Sequence, residues 1–486
     1  MLLRTLFLSL LLSSFSMFSV ASQQSLRWEN LQTLIPKGTQ VSYIVVDPKT
    51  KATIASHNAE TLRTPASMQK LITATAAKLY LGSDFRYKTT IVGEKSKIKK
   101  GKYQGDLRFM FVGDPQLLRK DIKKMLVDLK NKGIRTINGN FILNASHFNG
   151  YQWSNGQAWN DLGVCYTAPS NAIIVNRNCV RGNLSLAKKE AKKATIFIPN
   201  YEPVNITADV DVVTKEERSA QFCALEVTRN SQNNYHLWGC MVPRNRPFGL
   251  AFAVNDPFEY AQQIVAKELK NIGIKLHGKV LLEKEPINSE KFTVLVEHQS
   301  PRLEALLSIM MKKSDNLIAD SLFKTLGSAY FKTSGNFRNG QQAVKRILKQ
   351  HGVDLENSYL ADGSGLSRHN LMSAELFMNL LTYVYENDAR LDLLSRFSIA
   401  GVDGTLKYHK GVKGEKFKGK IIAKTGSLKG VANLLGVAKT DQGDKLFVVI
   451  INGYNRATHQ LTSALPRTKK ESKDTFEQAF FSEIFK

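Results

Sequence analysis

Three short polar patterns, far apart and in a fixed order, constrain this chain more than any other feature. They are Ser67-Met68-Gln69-Lys70, Ser314-Asp315-Asn316 and Lys424-Thr425-Gly426. If they serve one site, an early segment must fold against a late one, and everything between must leave and return as an insertion. The S-x-x-K spacing alone says little, because it recurs at Ser96/Lys99 and Ser185/Lys188 in Lys-rich polar surroundings. S-x-N recurs too, at Ser56, Ser231 and Ser334. Context separates the copies. Ser67 opens a stretch in which Met68, Leu71, Ile72, Thr75 and Leu79 recur at helical spacing, and Pro65 suits the first turn of that helix. Ser314 lies at the junction of two helical runs, Leu303/Leu306/Leu307/Met310 and Leu317/Ile318/Leu322/Phe323. Lys424 sits on an expected strand from Gly419 to Ser427.

These residue types suit nucleophilic acyl transfer. A serine hydroxyl is a weak nucleophile until a base takes its proton, and residues three apart on a helix share a face. Lys70 is therefore placed as the base for Ser67. It must be uncharged to act, and both desolvation and a second cation, Lys424, push a lysine that way. A placed base contributes about 10²–10⁴-fold. Ser314 is the candidate proton relay to a leaving amine, and Asn316 the residue that orients Lys70. Lys424, Thr425 and Ser427 supply a cation and hydroxyls for a terminal carboxylate, and Gly426 permits close approach to the strand. The backbone N–H groups of Ser67 and Ser427 are the candidate oxyanion hole.

The rest of the chain reads as an insertion inside a two-ended domain. Val41–Val46 and Ala52–Ser56 read as a β-hairpin around Asp47-Pro48-Lys49-Thr50; Val431–Thr440 and Lys445–Asn452 read as another around 441–444. The two hairpins are expected to share a sheet, with a catalytic domain at 22–83 and 291–486. Residues 84–290 hold short alternating segments, polar turns and all four cysteines, and read as one or two mostly β inserted domains. Phe476, Phe480 and Ile484 form a helical stripe, to be packed on the core or laid on a membrane surface.

Residues 1–21 carry one early positive charge, a short apolar run and small residues before Ser22, the pattern of a cleaved secretory signal. An uncleaved anchor is the other reading. Export implies an oxidising periplasm, where an even number of cysteines suggests disulfides. Three pairings are possible. Cys165–Cys179 and Cys223–Cys240 are favoured because each closes a short loop; four buried thiols are the alternative. No C-x-x-C pair or zinc-type His spacing points to a metal, and amide hydrolysis at a serine needs no cofactor. The net charge of +26 suits peripheral contact with anionic envelope surfaces, or is simply a solvated basic face. Export takes nucleic acid out of reach.

The ordered set S-x-x-K, S-D-N, K-T-G is the signature of penicillin-binding proteins and class A β-lactamases. With Phe111-Val112-Gly113-Asp114-Pro115, Trp159-Asn160-Asp161, the Cys165-Tyr166 to Asn178-Cys179 segment, Asp362 to Arg368, and Lys424 to Leu428, the mature chain resembles the class C low-molecular-mass penicillin-binding proteins. These are the D-alanyl-D-alanine carboxypeptidase/endopeptidases of peptidase family S13. The resemblance implies an α+β, transpeptidase-like (serine β-lactamase-like) catalytic domain carrying two mostly β inserted domains. It implies that Ser67 is acylated by peptidoglycan stem peptides or by β-lactams, and that the acyl-enzyme is then hydrolysed. It also implies that Asp161 meets the free ammonium of a diaminopimelate side chain, with Tyr166 and Arg368 lining the same pocket. Lys429 departs from the neutral glutamine often found there. A β-lactamase and a non-catalytic envelope-binding module are the rival functions. The first lacks an E-x-x-L-N loop here, and the second has no use for an ionisable pair at helical spacing.

Overall fold

The computed structural model describes residues 31–186, 191–454 and 472–486; the expected signal segment lies outside the described residues. The elements that build the site are strands β1 (Gln40–Val46) and β2 (Thr53–His57), helices α1 (Gln69–Tyr80) and α2 (Asn316–Phe331), strands β3 (Ile421–Leu428), β4 (Val431–Thr440) and β5 (Gly443–Asn452), and the last helix, α3 (Lys473–Ile484).

The two ends of the chain close one six-stranded antiparallel sheet. Its order is Ser398–Ile399, β3, β4, β5, β1, β2. Gln40 lies opposite Asn452 and Val46 opposite Leu446, so the early hairpin is zipped onto the late one along its whole length. β5 shows why the sheet is central. Its Leu446, Val448 and Ile450 enter one core, with Met68, Leu71 and Ile72 of the α1 region and Leu322 and Phe323 of α2. Its Phe447, Val449 and Ile451 enter a second core, with Phe476, Phe480 and Phe481 of α3. Side chains alternate between faces along a strand, so a strand apolar at every position is one buried on both sides. The final aromatic stripe is thus core.

The intervening residues form two further bodies, each with its own core. The first is a five-stranded sheet whose order is Val280–Glu283, Phe141–Asn144, Leu107–Met110, Lys88–Gly93, Thr293–Gln299. Helices Arg119–Asn131 and Pro257–Ile272 pack into its core through Ile122, Leu126, Ile264 and Leu269. The second joins two three-stranded sheets around Leu184, Val210, Leu237 and Met241. The architecture is α+β with mostly β insertions. One strand falls differently from expectation: Thr293–Gln299, assigned to the segment 291–486, pairs with Lys88–Gly93 instead. Composition marks a strand but not which sheet takes it. Both favoured disulfides are present, Cys165–Cys179 and Cys223–Cys240, with Cα separations of 5.3 and 5.9 Å.

Phe481 is fully buried, and its ring meets Phe447 edge-on at 4.9 Å. Phe481→Ala is expected to cost about 3–5 kcal/mol, read as a lower thermal midpoint. An unchanged midpoint would show that α3 is dispensable to the second core.

Candidate active site

Ser67 sits in a 3-10 turn, Ala66–Met68, that feeds directly into α1. Ala66 holds φ at +47°, a region a non-glycine residue seldom occupies. Two glycines make room for this bent turn. A Cβ on Gly365 would fall 1.9 Å from the Ala66 carbonyl oxygen, and Gly365 also has φ +83°. A Cβ on Gly426 would fall 2.5 Å from the Pro65 carbonyl oxygen and 3.2 Å from the Met68 nitrogen. Gly426 therefore has a packing reason not foreseen in the sequence: it lets β3 press against the turn that carries Ser67.

Lys70 lies in the first turn of α1, three residues after Ser67, and residues three apart share a helix face, which brings Lys70 beside Ser67. The Lys70 ammonium is wholly buried and donates three hydrogen bonds. They go to Ser67 Oγ at 2.8 Å, Asn316 Oδ1 at 2.6 Å and the Ser364 carbonyl at 2.5 Å. Burial lowers its pKa to about 8, against the pull of the carboxylates of Asp320, Asp362 and Asp315. Lys424 is also wholly buried and donates to Ser314 Oγ at 3.0 Å and the Thr425 carbonyl at 2.9 Å. Burial, and then repulsion from Lys70, push it well below the usual lysine range. The two lysines repel one another, and the carboxylates near Lys70 favour its charged form against that repulsion.

The S-D-N segment works as a joint. Asp315 caps α2 by accepting from the Ile318 N–H at 3.0 Å and pairs with Arg177. Ser314 holds φ at +56°, and Asn316 donates its side-chain amide to the Tyr166 carbonyl at 2.8 Å. Asn316 therefore links Lys70 to the inserted region.

Above these residues lies a cleft of about 320 Å³ lined by Ser67, Ser314, Asn316, Thr425, Ser427 and Tyr166. The Thr425 carbonyl accepts from Lys424, and Ser427 lines the cleft with Ser67. Burial and a hydrogen bond to Asp161 push the Tyr166 phenol up. Asp161 and Arg368 are not among the cleft-lining residues. Arg368 is exposed and donates to the Lys429 carbonyl at 3.0 Å.

Several residues here carry no sequence signal. Thr405 and His409 line the cleft; Thr425 donates to Thr405 Oγ1 at 2.9 Å, and His409 Nε2 lies 2.7 Å from the buried Glu477 of α3. Neither belongs to a pattern that marks chemistry. The S-x-x-K spacing also occurs at Ser321 and Lys324 on α2. Both are buried, and Lys324 donates to the Tyr151 and Ser170 carbonyls at 2.8 and 2.6 Å. That copy fastens the inserted region to α2.

Known proteins resemble this chain in sequence and fold. The family model described as the D-Ala-D-Ala carboxypeptidase 3 (S13) family matches residues 29–474. The chain is 38% identical over 470 residues to a D-alanyl-D-alanine carboxypeptidase DacB of Haemophilus influenzae, covering 96% of each. It is 27% identical to a D-alanyl-D-alanine carboxypeptidase of Actinomadura sp. strain R39, over 86% of this chain and 79% of that one. The crystal structure of penicillin binding protein 4 (dacB) from Haemophilus influenzae superposes with a TM-score of 0.86 at 38% identity, covering 94% of this chain and 99% of that one. The same protein complexed with a β-lactam gives 0.82 at 36% identity, with the same coverage.

Base catalysis by Lys70 requires its neutral form, and its pKa lies at about 8. Acylation by a fluorescent penicillin, followed by stopped flow, is therefore expected to rise with pH up to about that value and then level off. A rate that falls across this range would remove Lys70 from the base role.

Proposed function

This chain belongs to the D-Ala-D-Ala carboxypeptidase 3 (S13) family, and we propose that it is a serine-type D-Ala-D-Ala carboxypeptidase and D,D-endopeptidase in which Ser67 is the nucleophile. The observation that carries this reading is the 2.8 Å contact between Ser67 Oγ and a wholly buried Lys70 ammonium, on the floor of an open cleft.

Neutral Lys70 takes the Ser67 proton as Oγ attacks the carbonyl carbon of the penultimate D-alanine. The oxyanion forms against the N–H groups of Ser67 and Ser427. Preorganised donors of this kind act most strongly where charge develops, and losing one costs about 10²–10³ in rate. As the tetrahedral species collapses, the proton taken by Lys70 is relayed through Ser314 to the leaving amine, which leaves Lys70 neutral again; Lys424, 3.0 Å away, donates to the Ser314 hydroxyl and holds it in place. Released D-alanine, or the amine end of a crosslink, departs, and the peptide stays esterified to Ser67. Water then repeats the cycle and frees the carboxylate. A β-lactam follows the first half, with its ring amide as the bond broken. Thr425, Ser427 and Lys424 face the substrate carboxylate. Asp161, which hydrogen-bonds the cleft residue Tyr166, offers a carboxylate to a diaminopimelate ammonium. The site of action is the periplasm, after removal of residues 1–21.

Ser67→Ala is expected to abolish covalent penicillin labelling while leaving the thermal midpoint unchanged. Labelling that moved to another serine would refute the assignment.

The basic surface supports peripheral contact with an anionic envelope. Lys99 lies opposite Lys102, and Lys102 and Lys275 both lie opposite Thr136, so three exposed lysines form a row on one face of a small sheet. Like charges directly across a sheet repel, and the carboxylate of Glu94, just before the first strand of this sheet, is taken by Lys97. Vesicles containing anionic phospholipid are expected to co-sediment the protein, less so as salt rises. The triple variant Lys99→Glu, Lys102→Glu, Lys275→Glu should lose that binding; unchanged binding would exclude this face.

A further inference from the structure

Beneath the cleft lies a set of buried ionisable groups that the acyl-transfer scheme leaves unused. Asn316, Asp320 and Lys324 follow one another at four-residue intervals on α2, so they form a stripe along one face. Asn316 grips Lys70 at 2.6 Å. Asp320, one turn on, is buried and accepts the Gly363 N–H at 3.0 Å and a hydrogen bond from the Ser364 side chain. The Ser364 carbonyl accepts from Lys70 at 2.5 Å. The loop 363–364 is thus held by Asp320 on one side and by Lys70 on the other. No carboxylate forms a direct ion pair with Lys70 among the described residues, so Asp320 acts on it through space, in a medium where charges are poorly screened.

We infer that Asp320 is the positioning residue that sets the proton affinity of Lys70, and so the pH range in which Ser67 can be acylated. The inference rests on the reading of Lys70 as the base for Ser67. The groups that face the pair are few. Asp320 meets Lys70 from α1, Asp362 from the loop and Lys324 from its own helix. Lys70 also meets Asp315, and Lys424 from β3. Asp362 accepts four hydrogen bonds, from Ser154 Oγ, the N–H groups of Gly365 and Ser367, and the Asn370 amide. It is committed to shaping the loop. Asp320 has fewer donors, and burial, reinforced by Asp362, raises its carboxyl to about 8, the same range to which Lys70 has fallen. Two groups so matched and so close titrate as a pair. An ionised Asp320 holds the proton on Lys70, and a neutral one releases it.

The sign of the test follows. Asp320→Asn keeps an oxygen acceptor for the Gly363 N–H but cannot carry the negative charge. Lys70 should then lose its proton more readily, and the acid limb of the acylation profile should move to lower pH. The expected move is up to about one unit, read as faster acylation around the wild-type midpoint, where Asp320 ionises; well below it Asp320 is already neutral and the two rates should converge, with the high-pH plateau retained. Ser364→Ala, which removes a hydrogen bond that favours ionised Asp320, should move the limb the same way by less. Asp320→Glu, which restores a carboxylate, should return the limb towards wild type. All are measured on the full chain with a fluorescent penicillin, with rates scaled to the fraction of protein that can be labelled. An acid limb that stays in place in both Asp320→Asn and Ser364→Ala, or a plateau that drops with no shift, would overturn the inference. Lys70→Ala separates this from the parent reading: if the acid limb survives that change, the limb never belonged to Lys70 and the base assignment itself fails.

Discussion

The structure turns on one ammonium group. Lys70 has no contact with water and is satisfied by three acceptors from three parts of the chain: a hydroxyl on its own turn, an amide on α2 and a carbonyl on the loop at 364. Burying a charge is costly unless every donor is met. The arrangement therefore locks the relative positions of α1, α2 and that loop, and leaves Ser67 Oγ at the open end of the set. The same burial that makes the lysine demanding also lowers its proton affinity. Structural and chemical roles share one cause.

Contacts of the same polar kind hold the inserted region against the groove. Asn316 reaches the Tyr166 carbonyl, Lys324 reaches the Tyr151 and Ser170 carbonyls, Ser154 reaches Asp362, and Ser367 Oγ reaches the Asn155 carbonyl at 2.5 Å. Segment 151–170 is thereby fastened to the wall of the cleft, and the Cys165–Cys179 bridge ties it in turn to the strand Cys179–Ser185. A region remote in sequence thereby comes to border the cleft, through Tyr166.

The fold was legible where pattern and burial coincide. β5 is apolar at consecutive positions because both its faces are covered, and the stripe of α3 matches the face that covers one of them. That Ser67, Lys70 and the S-D-N and K-T-G residues come together was legible because their spacing has a chemical reason. The Ala66 backbone, the need for glycine at 365 and 426, and the assignment of Thr293–Gln299 to the inserted sheet were not. Each depends on which backbone lies next to which, and no local run of residues encodes that. Thr405, His409 and Asp320 escaped notice for a related reason: a threonine, a histidine or an aspartate on a helix or loop looks ordinary until its neighbours are known.

By itself the sequence determined which atoms are available: a hydroxyl three residues before an amine, an amide two residues after a second hydroxyl, and a lysine on a strand ahead of a glycine. Hydrophobic periodicity also determined that these atoms ride on a helix, a helix junction and a sheet. Only the tertiary structure decided their protonation and their order in space. Charge state depends on desolvation and on carboxylates such as Asp320 and Asp362, which lie hundreds of residues from Lys70 along the chain and beside it in the core. Electrostatic energy follows distance and dielectric, and both come into being only when the chain has folded.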